Sequence, residues 1–324
     1  MTHQIEVATP PIQQLTPVQS PAHVTIALAS FNGARFLGAQ LESLLAQTHK
    51  DWSLIVSDDC SRDGTAKVVA DFQACNPEKK ILFLRGPCKG SAQNFLSLLR
   101  AGGQTPYLAF CDQDDVWFPR KLERALTKLS PETGPAIYGS RTAITDVNLV
   151  SQRNSIAFAR RPGFGNALVQ NIAGGNTMVL NRASLDILQP ASLNARNVIA
   201  HDWWCYQMVT GAGGRMIFDA EPSLFYRQHS GNEVGSNDTI RAYLTRGRQI
   251  LAGRFSVWIN GNIEALWREK DRLTPENQER LAEFKSSRGR NVVGRLRGFS
   301  RSGLTRQTRR GTVALWTAAV LGRL

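Results

Sequence analysis

The chain is expected to fold as an α/β protein with a doubly wound sheet, and three observations carry that expectation. Short β-branched or apolar runs alternate with segments of helical period, acidic and polar residues cluster where the runs end, and 42% of the 324 residues are hydrophobic. That share is enough for a continuous core in one large domain or two ordinary ones, which excludes a chain disordered throughout.

The elements follow in order. Residues 1–22 are rich in Pro, Gln and Thr without periodicity and are expected to be a disordered leader. Residues 24–29 form the first strand and Ser30-Phe31-Asn32-Gly33 a turn. Phe36, Leu37, Leu41, Leu44 and Leu45 then recur at helical spacing and make one buried stripe. A second apolar run, 52–57, ends in Asp58-Asp59, and Ser61-Arg62-Asp63-Gly64-Thr65 turns and caps a helix over 66–72. Residues 81–84 give a third strand, Phe95, Leu98 and Leu99 mark the next helix, and 107–111 form a fourth strand running into Asp112. Such alternation implies parallel strands whose ligands lie beyond their carboxyl ends. Asn32, Asp58, Asp59, Asp112, Asp114 and Asp115 all fall there.

After a helix over 119–129, with proline in its first turn, the pattern is less regular. Strand-like runs at 136–138, 177–180, 216–218 and 224–226, and a helix opening at His201-Asp202-Trp203-Trp204, build a second half expected to hold the acceptor side. No apolar run approaches the roughly 20 residues that span a bilayer, and no basic-then-apolar leader is visible, so neither a membrane span nor a signal peptide is expected. Five cysteines (Cys60, Cys75, Cys88, Cys111, Cys205) are scattered without close pairs, for which a reducing cytoplasm is the simplest home.

The formal charge of +13 is local. Ten of the 39 basic residues lie from Phe284 onward with no acid among them, leaving 29 basic against 26 acidic side chains in the rest. Nucleic-acid binding is therefore disfavoured, because the body is near neutral and the tail has few aromatics. In that tail, arginines mix with Val292, Val293, Leu296, Phe299 and Leu304, and residues 313–321 form an apolar run around Trp316. Two readings stand: a helix lying in the interface of an anionic membrane, or a helix packed on the body or a partner.

The stretch Phe110-Cys111-Asp112-Gln113-Asp114-Asp115-Val116-Trp117 is the most informative. Three carboxylates within four positions repel one another unless a cation sits among them, and Mg2+ or Mn2+ typically takes one or two carboxylates plus substrate phosphates. If strand geometry continues, Asp112 and Asp114 point one way and Asp115 the other. A solvated acidic turn with a helix cap is the competing reading.

Ala29-Ser30-Phe31-Asn32-Gly33, the segment from Val56 to Thr65, and Asp112-Gln113-Asp114-Asp115-Val116-Trp117 resemble, in order, three blocks of the family 2 glycosyltransferases. The resemblance is nearest to the branch called rhamnosyltransferase-like in bacterial O-antigen and capsule synthesis, and covers residues 24–235. It implies a GT-A, Rossmann-like fold with a mixed sheet flanked by helices over 23–235, divided into a nucleotide half (23–118) and an acceptor half (119–235). A helical extension with a basic tail follows at 236–324. It further implies that Ser30, Phe31 and Asn32 touch the nucleotide, that Asp58 or Asp59 hydrogen-bonds the base, and that Lys89 and Asn94 contact base or diphosphate. Of the two acids, Asp59 is favoured for the base and the other for a cap. Asp112 and Asp114 match the metal-binding element, with Asp112 also near the nucleotide and Asp115 as an additional ligand.

Ala173-Gly174-Gly175-Asn176-Thr177 resembles the glycine loop that admits acceptor and donor sugar, and Asp202 matches the catalytic base, although many relatives have Glu where this chain has His201. Asp202 also suits a helix N-cap. In Tyr226-Arg227-Gln228-His229-Ser230-Gly231-Asn232, which resembles the closing block, His229 is positioned for metal or diphosphate and Arg227 for phosphate charge. The implied reaction is inverting transfer of a sugar, rhamnose by analogy with the branch, from a dTDP- or UDP-linked donor to a glycan or lipid-linked acceptor. The implied setting is the cytoplasmic face of a membrane held through the tail. A nucleotide-sugar pyrophosphorylase is the nearest enzyme rival, but the loop after Ala29 lacks the glycine- and arginine-rich sequence that wraps a triphosphate. A non-catalytic glycan-binding or scaffold protein is the rival from another class.

Overall fold

The computed structural model of the protein describes residues 20–229 and 254–324. Most of the expected leader, the last residues of the closing block (230–232) and the expected junction at 235/236 lie outside the described residues.

In the first half β1 (Val24–Ser30), α1 (Ala34–Leu45), β2 (Trp52–Asp58), α2 (Thr65–Cys75), β3 (Ile81–Arg85), α3 (Ser91–Ala101) and β4 (Tyr107–Asp112) alternate as the periodicity predicts. The second half contains β5 (Val116–Trp117), α4 (Lys121–Leu129), β6 (Ala136–Thr145), β7 (Ser151–Asn154), the single-turn α5 (Phe164–Ala167), a 3-10 turn at Gly175–Thr177, β8 (Val179–Asn181), α6 (Arg182–Ala191), α7 (His201–Gly211) and β9 (Arg215–Arg227). Four helices complete the described chain: α8 (Arg254–Arg268), α9 (Pro275–Ser287), α10 (Val292–Arg301) and α11 (Arg309–Val320).

One sheet joins the two halves, in the order β3-β2-β1-β4-β8-β6-β9-β5, with β7 on β6. β3, β2, β1 and β4 are parallel. β8 runs antiparallel to both β4 and β6, and β9 returns parallel to β6. The sheet is therefore mixed, with a parallel first half. Winding outward from β1 through β2 to β3 and then back to β4 puts a reversal between β1 and β4, where the crossovers leave a crevice beyond the strand ends.

Every residue of β1 is buried, as befits a strand covered on both faces. Its side chains alternate between two cores. Ile26 and Leu28, with Ala109 and Cys111 of β4, pack toward Leu37 and Leu41 of α1. Ala27 and Ala29, with Leu108 and Phe110, pack toward Phe95 of α3 and Trp204 of α7.

Three local expectations are corrected. Residues 216–218 and 224–226 belong to one strand, β9, which stays paired with β6 because register shifts at Ser140/Arg141 and Arg141/Ala143 absorb the irregular middle. Pro119 lies before α4, whose N-cap is Arg120, so it ends the preceding segment instead of opening the helix. β4 stops at Asp112 and a turn follows, so strand alternation does not carry from Asp112 to Asp114.

The basic tail packs on the body. Leu315, Ala318, Ala319, Leu324 and Phe299 are buried in the same core as α3 and α7. Residues 305–307 are stitched to the segment around α5: Asn166 Nδ2 donates to the Thr305 carbonyl (2.9 Å), and the Gln307 N–H donates to Gln170 Oε1 (2.8 Å). The carbonyl of Gly303 approaches Gly165 so closely that a Cβ on Gly165 would lie 2.2 Å from it. Arg295 donates to the Ala319 carbonyl (2.6 Å), a cation at the carboxyl end of α11 where the helix dipole favours it. No helix among the described residues is long and apolar enough to cross a membrane.

Because Leu315 is a core residue, Leu315→Ala is expected to cost about 2–5 kcal/mol and to lower the melting temperature of the body and tail together in a calorimetric scan. A tail that unfolds separately, with the main transition unmoved, would contradict this packing.

Candidate active site

The turn after β1 is knitted to the turn after β2. The Asn32 N–H donates to Ser61 Oγ (2.8 Å), Asn32 Oδ1 accepts from the Arg62 N–H (2.9 Å), and the Gly33 N–H donates to Thr65 Oγ1 (2.9 Å). Asn32 has φ 47°, a left-handed conformation asparagine tolerates better than most side chains. The same turn is gripped from β4. Gln113 Oε1 accepts from the Phe31 N–H (2.9 Å) and Gln113 Nε2 donates to the Phe31 carbonyl (3.0 Å). Gln113 reaches Phe31 only because residue 33 lacks a side chain, since a Cβ there would meet Gln113 Oε1 at 2.0 Å. The phenyl ring of Phe31 is exposed.

Asp58 and Asp59 have separate tasks. Asp58 accepts from Ser30 Oγ (3.0 Å) and from the Ser61 N–H (2.9 Å), which fixes its own turn. Asp59 is buried and accepts from the backbone N–H groups of Cys88 (2.6 Å) and Gly90 (2.7 Å), so it holds the loop between β3 and α3. Lys89, on that loop, is exposed. Asn94 faces inward: both its polar atoms bond Ser57, and it is 1% exposed, so it braces β2 against α3 and does not present its amide to the crevice. A shallow cleft of about 450 Å³ opens between residues 89–93 and 196–199.

The acidic block divides as well. Asp112 and Asp114 are partly exposed, whereas Asp115 is fully buried. Asp114 Oδ2 lies 2.8 Å from His229 Nε2, and the His229 ring stacks on Phe36. Arg227 donates to the carbonyls of Asp114 (3.0 Å) and Val147 (2.6 Å), so the end of β9 is tied to the acidic turn. Burial drives the Asp115 carboxyl well above the usual carboxylate range, helped by the negative charges of Asp114 and Asp112. Burial likewise lowers Lys121, whose ammonium sits 3.6 Å from the centre of the Trp117 ring and donates to the Asn176 carbonyl.

Asn176 carries this cluster to the glycine loop. Its Nδ2 donates to Asp115 Oδ2 (2.6 Å), and the N–H of the preceding residue, Gly175, donates to Asp202 Oδ2 (2.9 Å). The acidic block and Asp202 therefore grip opposite sides of one turn. A Cβ on Gly175 would meet His201 Nε2 at 2.3 Å, and one on Gly174 would meet Asn176 Oδ1 at 2.7 Å, so this close approach requires glycine. His201 stacks on Phe95 (3.9 Å) and meets Phe110 edge-on; burial pushes its imidazole down to about 3, so it is a neutral packing residue.

Asp202 sits in the first turn of α7, two residues past the N-cap Ala200, so the expected cap is displaced. Its Oδ1 accepts from the next N–H, that of Trp203 (2.6 Å). Burial raises its carboxyl above the ordinary aspartate value, against these hydrogen bonds, which lower it. A carboxylate near a helix N-terminus with a raised affinity for protons, partly open to solvent, is equipped to take a proton from an alcohol.

Among the described residues no group of three or more His, Cys, Asp or Glu forms a complete metal cage. The donor types nonetheless suit a hard divalent ion that also takes phosphate oxygens: Asp114 meets the His229 imidazole, Asp112 stands two residues earlier at the end of β4, and buried Asp115 Oδ1 has no hydrogen-bond partner.

Sequence reasoning did not identify Gln113, Asn176 and Lys121 as site residues. Gln113 and Asn176 lay inside blocks already singled out, and only their neighbours' chemistry drew notice. Gln113→Ala is expected to speed hydrogen exchange at the Phe31 N–H, whose acceptor it removes; unchanged exchange at that amide would remove Gln113 from the role of holding the turn.

The Glycosyl transferase family 2 model matches residues 25–186. The chain is 26% identical over 231 residues to the dTDP-rhamnosyl transferase RfbG of Shigella flexneri, covering 68% of this chain and 77% of that protein. It is 30% identical over 166 residues to the UDP-Glc:alpha-D-GlcNAc-diphosphoundecaprenol beta-1,3-glucosyltransferase WfgD of Escherichia coli, covering 50% and 62%. Among solved structures it resembles S. aureus TarS in complex with UDP-GlcNAc, with a TM-score of 0.50 at 14% identity over 86% of this chain and 89% of that one.

Proposed function

Since this chain belongs to glycosyl transferase family 2, an enzyme family that uses nucleotide-sugar donors, we propose that it is an inverting transferase using a pyrimidine nucleotide sugar, with Asp202 as base. The observation that carries this reading is the shared turn: Gly175 is bonded to Asp202 and Asn176 to Asp115, so donor-side acids and the base flank one glycine passage.

In the proposed reaction an acceptor hydroxyl oxygen attacks the anomeric carbon of the donor sugar. Its proton passes to a carboxylate oxygen of Asp202, and the bond to the diphosphate breaks with the electron pair leaving on the phosphate oxygen. Ser30, Phe31 and Asn32 supply the wall for the nucleoside. Of the two neighbouring acids, Asp59 reads the base, since a carboxylate only accepts hydrogen bonds and so suits the ring N–H of uracil or thymine, while Asp58 holds its own turn. Lys89 lies on the loop that Asp59 holds. Asp112, Asp114 and His229 would hold Mg2+ or Mn2+, with Asp115 and Arg227 behind them. The ion would neutralise charge on the departing diphosphate.

Rhamnose as the sugar and dTDP as the carrier are favoured by the match to RfbG; a lipid-linked glycan as acceptor is favoured by the name of WfgD. We place the work at the cytoplasmic face of a membrane. The tail supports that placement on its outer surface alone, because Leu315, Ala318 and Ala319 face the core while Val293, Arg297, Arg301, Arg310, Val313 and Leu321 face solvent.

Asp202→Asn is expected to keep nucleotide binding and to lose transfer by about 100-fold or more; robust turnover would exclude Asp202 as base. Because burial raises its carboxyl, kcat should fall on acidification through an apparent pKa above 3.8 and level off at higher pH. In a thermal-shift panel with and without Mn2+, dTDP or UDP should raise the melting temperature and GDP should not; stabilisation by GDP alone would overturn the pyrimidine assignment. Arg309→Glu combined with Arg310→Glu should reduce flotation with phosphatidylglycerol vesicles. Unchanged flotation would argue against attachment through the tail.

A further inference from the structure

The loops tied by Asp59 contain two side chains that the transfer chemistry leaves unused. Cys60 and Cys88 stand 28 residues apart in sequence, yet they are disulfide-bonded with Cα atoms 5.5 Å apart, inside the range such a bridge requires. Sequence spacing gave no sign of this pair, because the two loops meet only once β2 and β3 lie side by side.

Both cysteines adopt left-handed backbone conformations, Cys60 at φ 73° and Cys88 at φ 55°. Such conformations disfavour side chains other than Asn and Asp. Among the described residues only Asn32 and Leu149 share this feature outside glycine. That two cysteines each occupy so disfavoured a position, and face each other, is accounted for by the bond between them.

The bridge and Asp59 act on the same segment. Cys60 directly follows Asp59, Cys88 donates its N–H to Asp59 Oδ1, and Gly90 donates to Oδ2. The loop at 86–90 is thus fastened by a covalent tie and by hydrogen bonds in parallel. Cys60 is partly exposed and Cys88 exposed, so small oxidants and reductants reach both. The Arg85 guanidinium lies 3.9 Å from Cys60 Sγ, and a cation there favours attack by the thiolate.

We propose that Cys60 and Cys88 form a reversible disulfide that stiffens the 86–90 loop and thereby tightens binding of the donor's nucleoside diphosphate, an inference that rests on the reading of this crevice as the donor site. In the forward step the Cys60 thiolate attacks a small disulfide such as glutathione disulfide and releases one glutathione thiolate. The Cys88 thiolate then attacks the Cys60 sulfur of the mixed disulfide and releases the second. The two protein thiols lose two electrons, the small disulfide gains them, and the protein's two protons accompany the released thiols.

The full chain is compared after treatment with glutathione disulfide and with dithiothreitol, the state being verified by alkylation and mass spectrometry. Two readings are taken: hydrogen exchange at residues 86–90, and calorimetric Kd for dTDP and UDP. Oxidation should slow exchange across the loop and tighten the nucleotide that binds by on the order of two- to tenfold, as expected when a loop is ordered in advance. Cys75→Ser, which removes the exposed free thiol, should keep the response, and Cys60→Ser and Cys88→Ser should each abolish it. Equal exchange in the two states, or equal Kd for a nucleotide that binds, overturns the proposal. If exchange follows the bridge while neither nucleotide binds in either state, the loop tie stands and the donor-site reading fails.

Discussion

The candidate crevice depends on one hydrogen-bonded turn. Gly175 and Asn176 are adjacent, and through them the acids at the end of β4 and the aspartate at the start of α7 are held across a single peptide. The elements that bring these groups together are far apart in sequence, and β8 is what delivers the turn. It inserts antiparallel between β4 and β6, so the residues preceding it arrive beside the carboxyl end of β4. Glycine at 175 then permits the approach, because the space its side chain would fill is taken by His201.

The electrostatics follow from the same arrangement. Asp115 and Lys121 are both fully buried, a costly placement for charges unless they compensate one another. Lys121 spends its ammonium on the Asn176 carbonyl and the Trp117 face instead of reaching Asp115 directly. Asn176 serves as the intermediary, giving its side-chain amide to Asp115 and its carbonyl to Lys121. Removing its side chain would strip a buried carboxyl of its hydrogen-bond donor, so the identity of residue 176 is constrained by the charge beneath it as much as by the turn it occupies.

Much of this was legible in the sequence, for reasons that differ by region. The parallel half was readable because β1, β2 and β4 are short apolar runs buried on both faces, and each ends on a polar residue at the crevice. The second half was not, because its order depends on pairings between distant strands and on register shifts that let β9 follow β6 as one long strand. Single side chains were less legible still. Asn94 carries a donor and an acceptor suited to a ligand, but Ser57 satisfies both, and nothing in local spacing reveals a partner 37 residues away. The cysteine pair escaped notice for the same reason: counting cysteines detects neighbours in sequence, whereas these two become neighbours through the sheet.

The basic tail shows how composition is resolved by burial. Read as a sequence, residues 285–324 mix arginine with apolar side chains and fit both an interfacial helix and a packed one. The fold splits the segment by face. Leu315, Ala318 and Ala319 complete the core that also holds α3 and α7, and Arg295 and Arg306 are spent on backbone carbonyls. What remains outside is narrower and more basic than the whole tail: Arg297, Arg301, Arg309, Arg310 and Arg323 beside Val313, Val320 and Leu321. No Asp or Glu follows Glu283 in the sequence, so the tail itself supplies no carboxylate side chain to offset these arginines. The amphipathic pattern that left two readings open in the sequence is therefore spent inward on the core, and the arginines collect on the face the core does not use.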